Sequence, residues 1–200
     1  MRSAVPLALL VLAAGCGSGH RSGASLVIVS TSGRIGPLQM DRSGRRDVIG
    51  LAGRPEAERP GRYASSPAYR ALGYGCSARR DDMRFRLSRN GPYCRTVFFI
   101  NLRTGRLGDF FTTSPRYGER HGVRIGMATA KAERLLHKLV YVGCEENIHV
   151  GGARGVLTVA FSGGTPRKMH NSMGLHLIGG HVYGFALHGR RSELGIFDCM

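Results

Sequence analysis

The sequence predicts an α+β fold of two tandem units, each a short helix followed by an antiparallel β-meander and stapled by a disulfide. Three observations lead to this prediction. Residues 121–139 (HGVRIGMATAKAERLLHKL) form an extended lead that runs into an amphipathic helix pattern, and residues 35–53 (IGPLQMDRSGRRDVIGLAG) are a degraded copy of it. Strand-rich sequence that carries cysteines follows each copy. We therefore expect the first unit at residues 25–114 and the second at residues 115–200.

The first unit is expected to begin with a strand and a short helix. Residues 25–31 (SLVIVST) are rich in β-branched side chains, which favours a strand. Ser43 then provides a cap for a helix over residues 44–52, although the glycines inside it each cost up to ~1 kcal/mol relative to alanine. Residues 67–75 are interpreted as a helical turn that leads to Cys76.

Alternating apolar and polar residues predict the remaining strands of the first unit. Apolar and polar residues alternate along residues 83–88, so we expect a half-buried strand with arginines on its solvent-exposed face. Residues 96–102 and 107–113 flank Thr104-Gly105, which suits the two-residue loop of a hairpin. The apolar residues that this register places on one face are Phe98, Ile100, Leu102, Leu107 and Phe111.

The second unit has the clearer helix, with an apolar stripe at helical spacing along residues 128–139. Gly179-Gly180 is a good two-residue hairpin turn between the last strands. The predicted strands of this unit lie near Ile148 and at residues 156–161, 174–178, 181–188 and 194–197.

The first residues have the order of a secretory signal, with Arg2 before a short apolar run over residues 5–14. That run is shorter than the ~20 residues of a membrane-spanning helix. Its end, LAAGC, resembles the lipobox of bacterial lipoproteins, in which a cysteine after small residues is lipidated and becomes the mature N-terminus. The resemblance implies a signal peptide over residues 1–15, a lipid on Cys16 and a flexible tether over residues 16–24. It implies an extracytoplasmic, membrane-anchored protein; the alternative is an ordinary signal peptide and a secreted protein.

The cysteine count agrees with export. Of the five cysteines, Cys16 is assigned to the lipid, which leaves an even set in an oxidising compartment. Four cysteines allow three connectivities, among which the two-unit organisation favours Cys76 with Cys94 and Cys144 with Cys199. A zinc site is the rival interpretation, but no pair has the close spacing of zinc-binding cysteines.

The helix pattern supplies a second resemblance. Residues 123–136 (VRIGMATAKAERLL), with Gly126-Met127 at the start of the helix, resemble the tandem α+β modules of the beta-lactamase inhibitory protein family and related small lipoproteins of outer-membrane assembly. The first copy has Asp41-Arg42 at the matching place. The resemblance implies a non-enzymatic module that presents a sheet face to another protein or surface.

The charge of the chain favours anionic partners. The formal net charge is +16, and 26 of the 29 basic residues are arginine. Arginine dominance can also reflect coding bias, so the charge permits anion binding without showing it. We expect an envelope protein or an anionic polymer as partner, with membrane contact through the lipid on Cys16, and we do not expect nucleic acid. The candidate anion-binding residues are Arg84, Arg86, Arg103 and Arg106.

Signatures of catalysis are absent from the sequence. It has no Gly-x-Ser-x-Gly elbow, no phosphate-binding loop and no His-Glu-x-x-His motif. His176 and His181 would share a face of the predicted hairpin, but a third metal ligand is missing. The leading hypothesis is therefore a lipid-anchored extracytoplasmic binding or protein-interaction module without a cofactor. The alternatives are an envelope hydrolase built from His170, His176 and Glu145, and an electrostatic binder of anionic polymers.

Overall fold

The computed structural model describes residues 25–61, 68–79, 85–87, 91–136, 140–141, 147–152, 155–162, 165–168, 175–178 and 180–189, with side chains up to residue 136 and over 180–189. Its helices are α1 (Arg45–Ala52) and α2 (Thr129–Leu135). Its strands are β1 (Val27–Ser30), β2 (Arg34–Ile35), β3 (Leu38–Gln39), β4 (Ala57–Gly61), β5 (Tyr69–Ser77), β6 (Phe85–Arg86), β7 (Tyr93–Asn101), β8 (Leu107–Thr112), β9 (Tyr117–Glu119), β10 (Val140–Tyr141), β11 (Asn147–Gly152), β12 (Gly155–Ser162), β13 (Thr165–Lys168), β14 (Leu175–Ile178) and β15 (His181–His188).

The described strands form one large sheet and two small ones. The large sheet has the order β10-β11-β12-β15-β8-β7-β5-β4, with β6 paired to β7. A small sheet has the order β3-β2-β1-β9, in which β1 and β9 run parallel. The last sheet is the antiparallel pair β13-β14.

The predicted fold class, two tandem helix-plus-meander units, is wrong. The described chain is mostly β, and its two helices have only 8 and 7 residues. The strands after α1 and those after α2 belong to one sheet, because β8 pairs with β15 over Phe111 and Ala186. That pairing joins residues far apart in sequence, for which no local pattern exists. The unit boundary at residue 114 stays a prediction.

Apolar side chains fill both faces of the large sheet. On one face Phe98, Phe110 and Phe185 pack with Val48 of α1, Ala132 of α2 and residues of the small sheet, and all three phenylalanines are fully buried. On the other face Phe99 and Phe111 pack with Phe85 and Leu87 from β6 and the residue after it. Burying side chains of this size stabilises the fold by roughly 1.5–3 kcal/mol each.

Strand β5 corrects the helical turn predicted over residues 67–75. Ala71, Leu72 and Gly73 are buried in succession, because β5 lies between β4 and β7 and is covered on both faces. A strand buried on both faces loses the alternation by which a strand is recognised. The sequence of this segment therefore does not distinguish a strand from a helical turn.

The hairpin of β7 and β8 is confirmed, but its register differs from the prediction. The ladder shifts between Phe99 and Ile100, so that Ile100 pairs with Leu107 while Phe98 pairs with Phe110. A β-bulge of this kind turns the following side chains to the other face. As a result Phe111 lies in the opposite core from Phe98, and Leu102 is 44% exposed beyond the end of the strand.

Helix α1 confirms the predicted helix, with a different start. Its N-cap is Gly44, whose N–H donates to the Asp47 carboxylate at 2.7 Å. The Ser43 hydroxyl, expected to cap the helix, instead accepts the N–H of Gln39 at 3.0 Å. The helix ends at Gly53, which has a positive φ of 84° and donates its N–H to the Ile49 carbonyl.

The disulfide between Cys76 and Cys94 is present. The two residues face each other across β5 and β7, with their Cα atoms 4.0 Å apart. Gly73 lies directly beneath the bridge, where an added Cβ would come within 2.6 Å of the Cys94 sulfur. Cys144 and Cys199 lie outside the described residues, so their bridge stays a prediction.

Candidate functional site: an arginine surface at the start of the first helix

The start of α1 lies against the turn between β7 and β8. The Leu107 N–H donates to the Ser43 carbonyl at 2.7 Å, and Gly44 forms a β-bridge with Arg106. The Arg106 guanidinium donates to the Arg42 carbonyl at 2.7 Å. These contacts hold the arginines of two distant sequence segments on one surface.

One carboxylate links two arginines of this surface. Glu58 on β4 accepts from Arg45 of α1 at 2.8 Å and from Arg70 of β5 at 3.0 Å. The hydrogen bond from Arg45 is the main cause that lowers the pKa of the Glu58 carboxyl, and the same hydrogen bond raises the pKa of Arg45. The two arginine side chains are about half exposed, so solvent screens much of this attraction.

We define the arginine surface as Arg42, Arg45, Arg46, Arg70, Arg103 and Arg106, all of which are exposed. An apolar side chain accompanies them at the turn: Leu102 is 44% exposed, and among the described residues only Leu26 is a comparably exposed large hydrophobic. Arginines around an exposed leucine suit an anionic surface that also offers apolar contact.

The described chain begins at a groove that runs along α1. Ser25 lines this groove of about 650 Å³, together with Arg42 and Asp47 near the start of the helix and Leu51 and Arg116 near its end. The Val27 N–H donates to the Arg116 carbonyl at 2.9 Å, so the first strand begins close to Arg116. Cys16, the predicted lipidation site, lies outside the described residues.

The structure separates the predicted anion-binding residues. Arg103 and Arg106 belong to the arginine surface, whereas Arg86 pairs with Tyr93 at the opposite end of β7. With a rise of about 3.3 Å per residue, the two ends of that strand are roughly 26 Å apart. Arg86 lies over the Tyr93 ring, 5.4 Å from its centre, and Arg84 lies outside the described residues.

The predicted hairpin over Gly179-Gly180 is wrong, and with it the shared face of His176 and His181. β14 pairs with β13, so that His176 lies opposite Arg167, while β15 belongs to the large sheet, where it pairs with β12 and, over residues 185–188, with β8. Within the described part of the chain, no group of three His, Cys, Asp or Glu residues could hold a metal ion. His170 and Glu145, proposed for the hydrolase alternative, lie outside that part.

Two histidine–carboxylate pairs were missed by the sequence reading. Asp109 and His188 meet because β8 pairs with β15, with the carboxylate oxygen 2.8 Å from the His188 Nδ1. The buried Glu119 accepts the His121 backbone N–H at 2.6 Å and contacts its Nδ1 at 2.7 Å. Buried carboxylates require such partners, which explains both pairs without a catalytic role. Only Glu119 and His121 are close enough in sequence to have been predicted.

The described residues contain no helix that is long and apolar enough to cross a membrane. Comparisons with known proteins found no matching protein family and no matching curated protein. Among solved structures, the chain is similar to the uncharacterized protein yfeY from Escherichia coli, at 16% identity and a TM-score of 0.47, over 80% of this chain and 99% of that one. This distant likeness indicates no function.

Proposed function

We propose that the protein is a lipid-anchored, extracytoplasmic binding protein, not an enzyme, and that its arginine surface engages an anionic component of the cell envelope. The Cys76–Cys94 disulfide supports an oxidising compartment outside the cytoplasm, because such bridges are rarely kept in the cytosol. The lipobox-like residues that end at Cys16 supply the anchor.

The observation that carries the proposal is the place of the arginine surface relative to the anchor. Ser25 and Arg42 line one groove along α1, a helix of 8 residues and about 12 Å, and a flexible tether over residues 16–24 has an end-to-end distance of only about 17 Å. The lipid on Cys16 would thus hold the arginine surface close to the membrane. Near an anionic membrane each arginine contributes about 1 kcal/mol of attraction, and Leu102 adds apolar contact.

Vesicle binding tests this proposal without help from the lipid. The full chain carrying Cys16→Ser should co-sediment with vesicles that contain phosphatidylglycerol and not with vesicles of phosphatidylcholine alone. Replacing Arg46 and Arg103 together by glutamine should weaken binding about 30-fold, from the loss of ~1 kcal/mol per arginine. Both side chains are exposed, so folding should be unaffected.

A matched control separates a specific surface from general basicity. Arg79 and Arg86 are also exposed but lie at the opposite end of the strands from Arg103. Replacing this pair by glutamine changes the net charge equally and should leave vesicle affinity nearly unchanged. Equal losses from the two double variants, or binding that does not weaken as salt rises, would contradict the proposal, because exposed charges are screened by salt.

A further inference from the structure

A second group of arginines lies at the other end of α1, in a small cavity. The cavity has a volume of about 120 Å³ and lies where the last residue of α1, Ala52, meets β5, β7 and β9. Its lining includes two arginines and no carboxylate. The polar side chains that line it are Tyr74, Arg95, Thr96, Ser114, Arg116 and Tyr117.

Arg116 contributes its guanidinium to the lining of this cavity. One terminal nitrogen of its guanidinium donates to the Leu51 carbonyl at the end of α1, at 3.1 Å. Its Nε is buried and has no hydrogen-bond partner among the described residues. The Nε is closed to solvent, so an anion in the cavity would bind through the terminal nitrogens of the guanidinium.

The two tyrosines offer neutral hydroxyl groups. Tyr117 is only 2% exposed, and burial raises its pKa to about 12, although the nearby Arg116 lowers it. Burial also raises the pKa of Tyr74 to about 12, and the Tyr74 hydroxyl donates to the Gly53 carbonyl at 3.1 Å. At neutral pH both phenols keep their protons.

Two carboxylates of the neighbouring segments have other partners. Glu56 accepts the N–H groups of Gly75 and Cys76 at 3.0 and 2.8 Å, one with each carboxylate oxygen. Glu119, close to Arg116 along the chain, is paired with His121. The cavity therefore keeps a positive charge in a partly desolvated place, where a charge-assisted hydrogen bond is strong.

We propose that this cavity is a binding site for one small oxyanion, held by Arg116 and Tyr117 inside and by the exposed Arg95 at its mouth. Its volume of about 120 Å³ is small, which suits a single phosphate, sulfate or carboxylate group. The site does not require the lipid anchor, and its Arg116 also lines the groove that contains Arg42 of the arginine surface.

Calorimetric titration of the full chain with inorganic phosphate tests the proposal. We expect one saturable site per chain. The chain has no tryptophan and seven tyrosines, so tyrosine fluorescence gives a second readout of binding at Tyr74 and Tyr117. Arg95→Gln should weaken phosphate binding about tenfold, and Tyr117→Phe should weaken it several-fold, from the loss of hydrogen bonds to a charged group.

Arg103→Gln is the matched control, since Arg103 is exposed and belongs to the arginine surface. It should leave phosphate affinity unchanged. Titrations with glycerol phosphate, sulfate and acetate identify the chemical group that the cavity binds. A higher affinity for glycerol phosphate than for phosphate indicates a lipid head group. A higher affinity for acetate indicates a carboxylate. Absence of saturable binding by all four anions, or equal affinities of the Arg95 and Arg103 variants, would overturn the proposal.

Discussion

The two ends of α1 use arginine in different ways. At its start, Arg45 and Arg70 are exposed and share the carboxylate of Glu58, beside further exposed arginines. At its end, Arg116 reaches the Leu51 carbonyl from a cavity without carboxylates and keeps a buried Nε unpaired. Charges at the start are screened by solvent, so they suit a broad anionic surface. The charge at the end is partly desolvated, so it suits one small ligand.

Removing the Cys76–Cys94 disulfide should have the largest effect on stability, and it should affect the end of α1 more than its start. It joins Cys76, next to Gly75 of the cavity, to Cys94, next to Arg95. Replacing both cysteines by alanine should lower the free energy of unfolding by about 3 kcal/mol, the value for a closed loop of this length. Urea unfolding measures the loss. Phosphate affinity should fall in the same variant while vesicle binding is retained; a loss of both alike would remove the contrast between the two ends.

Arg116→Ala should show the next largest effect. It removes a charge-assisted hydrogen bond to a helix-terminal carbonyl, which predicts a loss of about 2 kcal/mol in unfolding free energy. Arg46→Ala on the same helix, whose side chain is exposed, should cost no more than about 0.5 kcal/mol. Chemical denaturation of the two variants compares the buried and the exposed arginine directly, and equal losses would refute the contrast.

The raised pKa of Tyr117 predicts that the protein loses stability at alkaline pH. Because burial raises its pKa to about 12 from an ordinary value of 10, the unfolded chain releases this proton first as the pH rises. The contribution of Tyr117 to the free energy of unfolding is therefore fully present below pH 10. It falls by roughly 1–2 kcal/mol between about pH 10 and 12. The difference in unfolding free energy between wild type and Tyr117→Phe, followed across that range, should change accordingly; a constant difference would be inconsistent with a buried phenol.

Replacing Glu58 should have the smallest effect on stability. Its pKa is lowered in the folded protein, so its contribution is present above its ordinary value of 4.5 and is lost as the pH falls through the lower folded value. Since the partners are half exposed, Glu58→Gln should cost about 0.5 kcal/mol at neutral pH and less in high salt. Thermal unfolding at two salt concentrations measures this, and a large effect that salt does not reduce would show that the arginine surface is less open than the structure indicates.

Local features were predictable from the sequence. The first strand, α1 and the hairpin of β7 and β8 follow from β-branched runs, helical spacing and alternation. The Cys76–Cys94 bridge is present although the two-unit organisation that favoured it is wrong. The doubly buried β5 was not predictable, because burial on both faces removes alternation. The bulge before Ile100 was not predictable either. In a regular strand Leu107 and Phe111, four residues apart, would lie on the same face, and nothing in the sequence indicates the shift.

The sites were only partly predictable. Arg103 and Arg106 were identified from their turn, and the adjacent Arg45-Arg46 of the predicted helix offered a further signal that was not used. The cavity at Arg116 has no sequence signal, because its lining comes from α1, β5, β7 and the loop before β9. Those segments meet through the pairing of β1 with β9 and of β5 with β7, and through the hydrogen bond from Arg116 to Leu51, all of which join residues far apart in sequence.

Mass spectrometry of the mature protein, isolated from the membrane fraction and measured before and after reduction, tests the central claim most directly. An extracytoplasmic lipoprotein should begin at Cys16, carry the mass of a covalent lipid on that residue, and gain hydrogens on reduction as the Cys76–Cys94 bridge opens. A mature chain that begins elsewhere, without a lipid or without an oxidised bridge, would contradict the account.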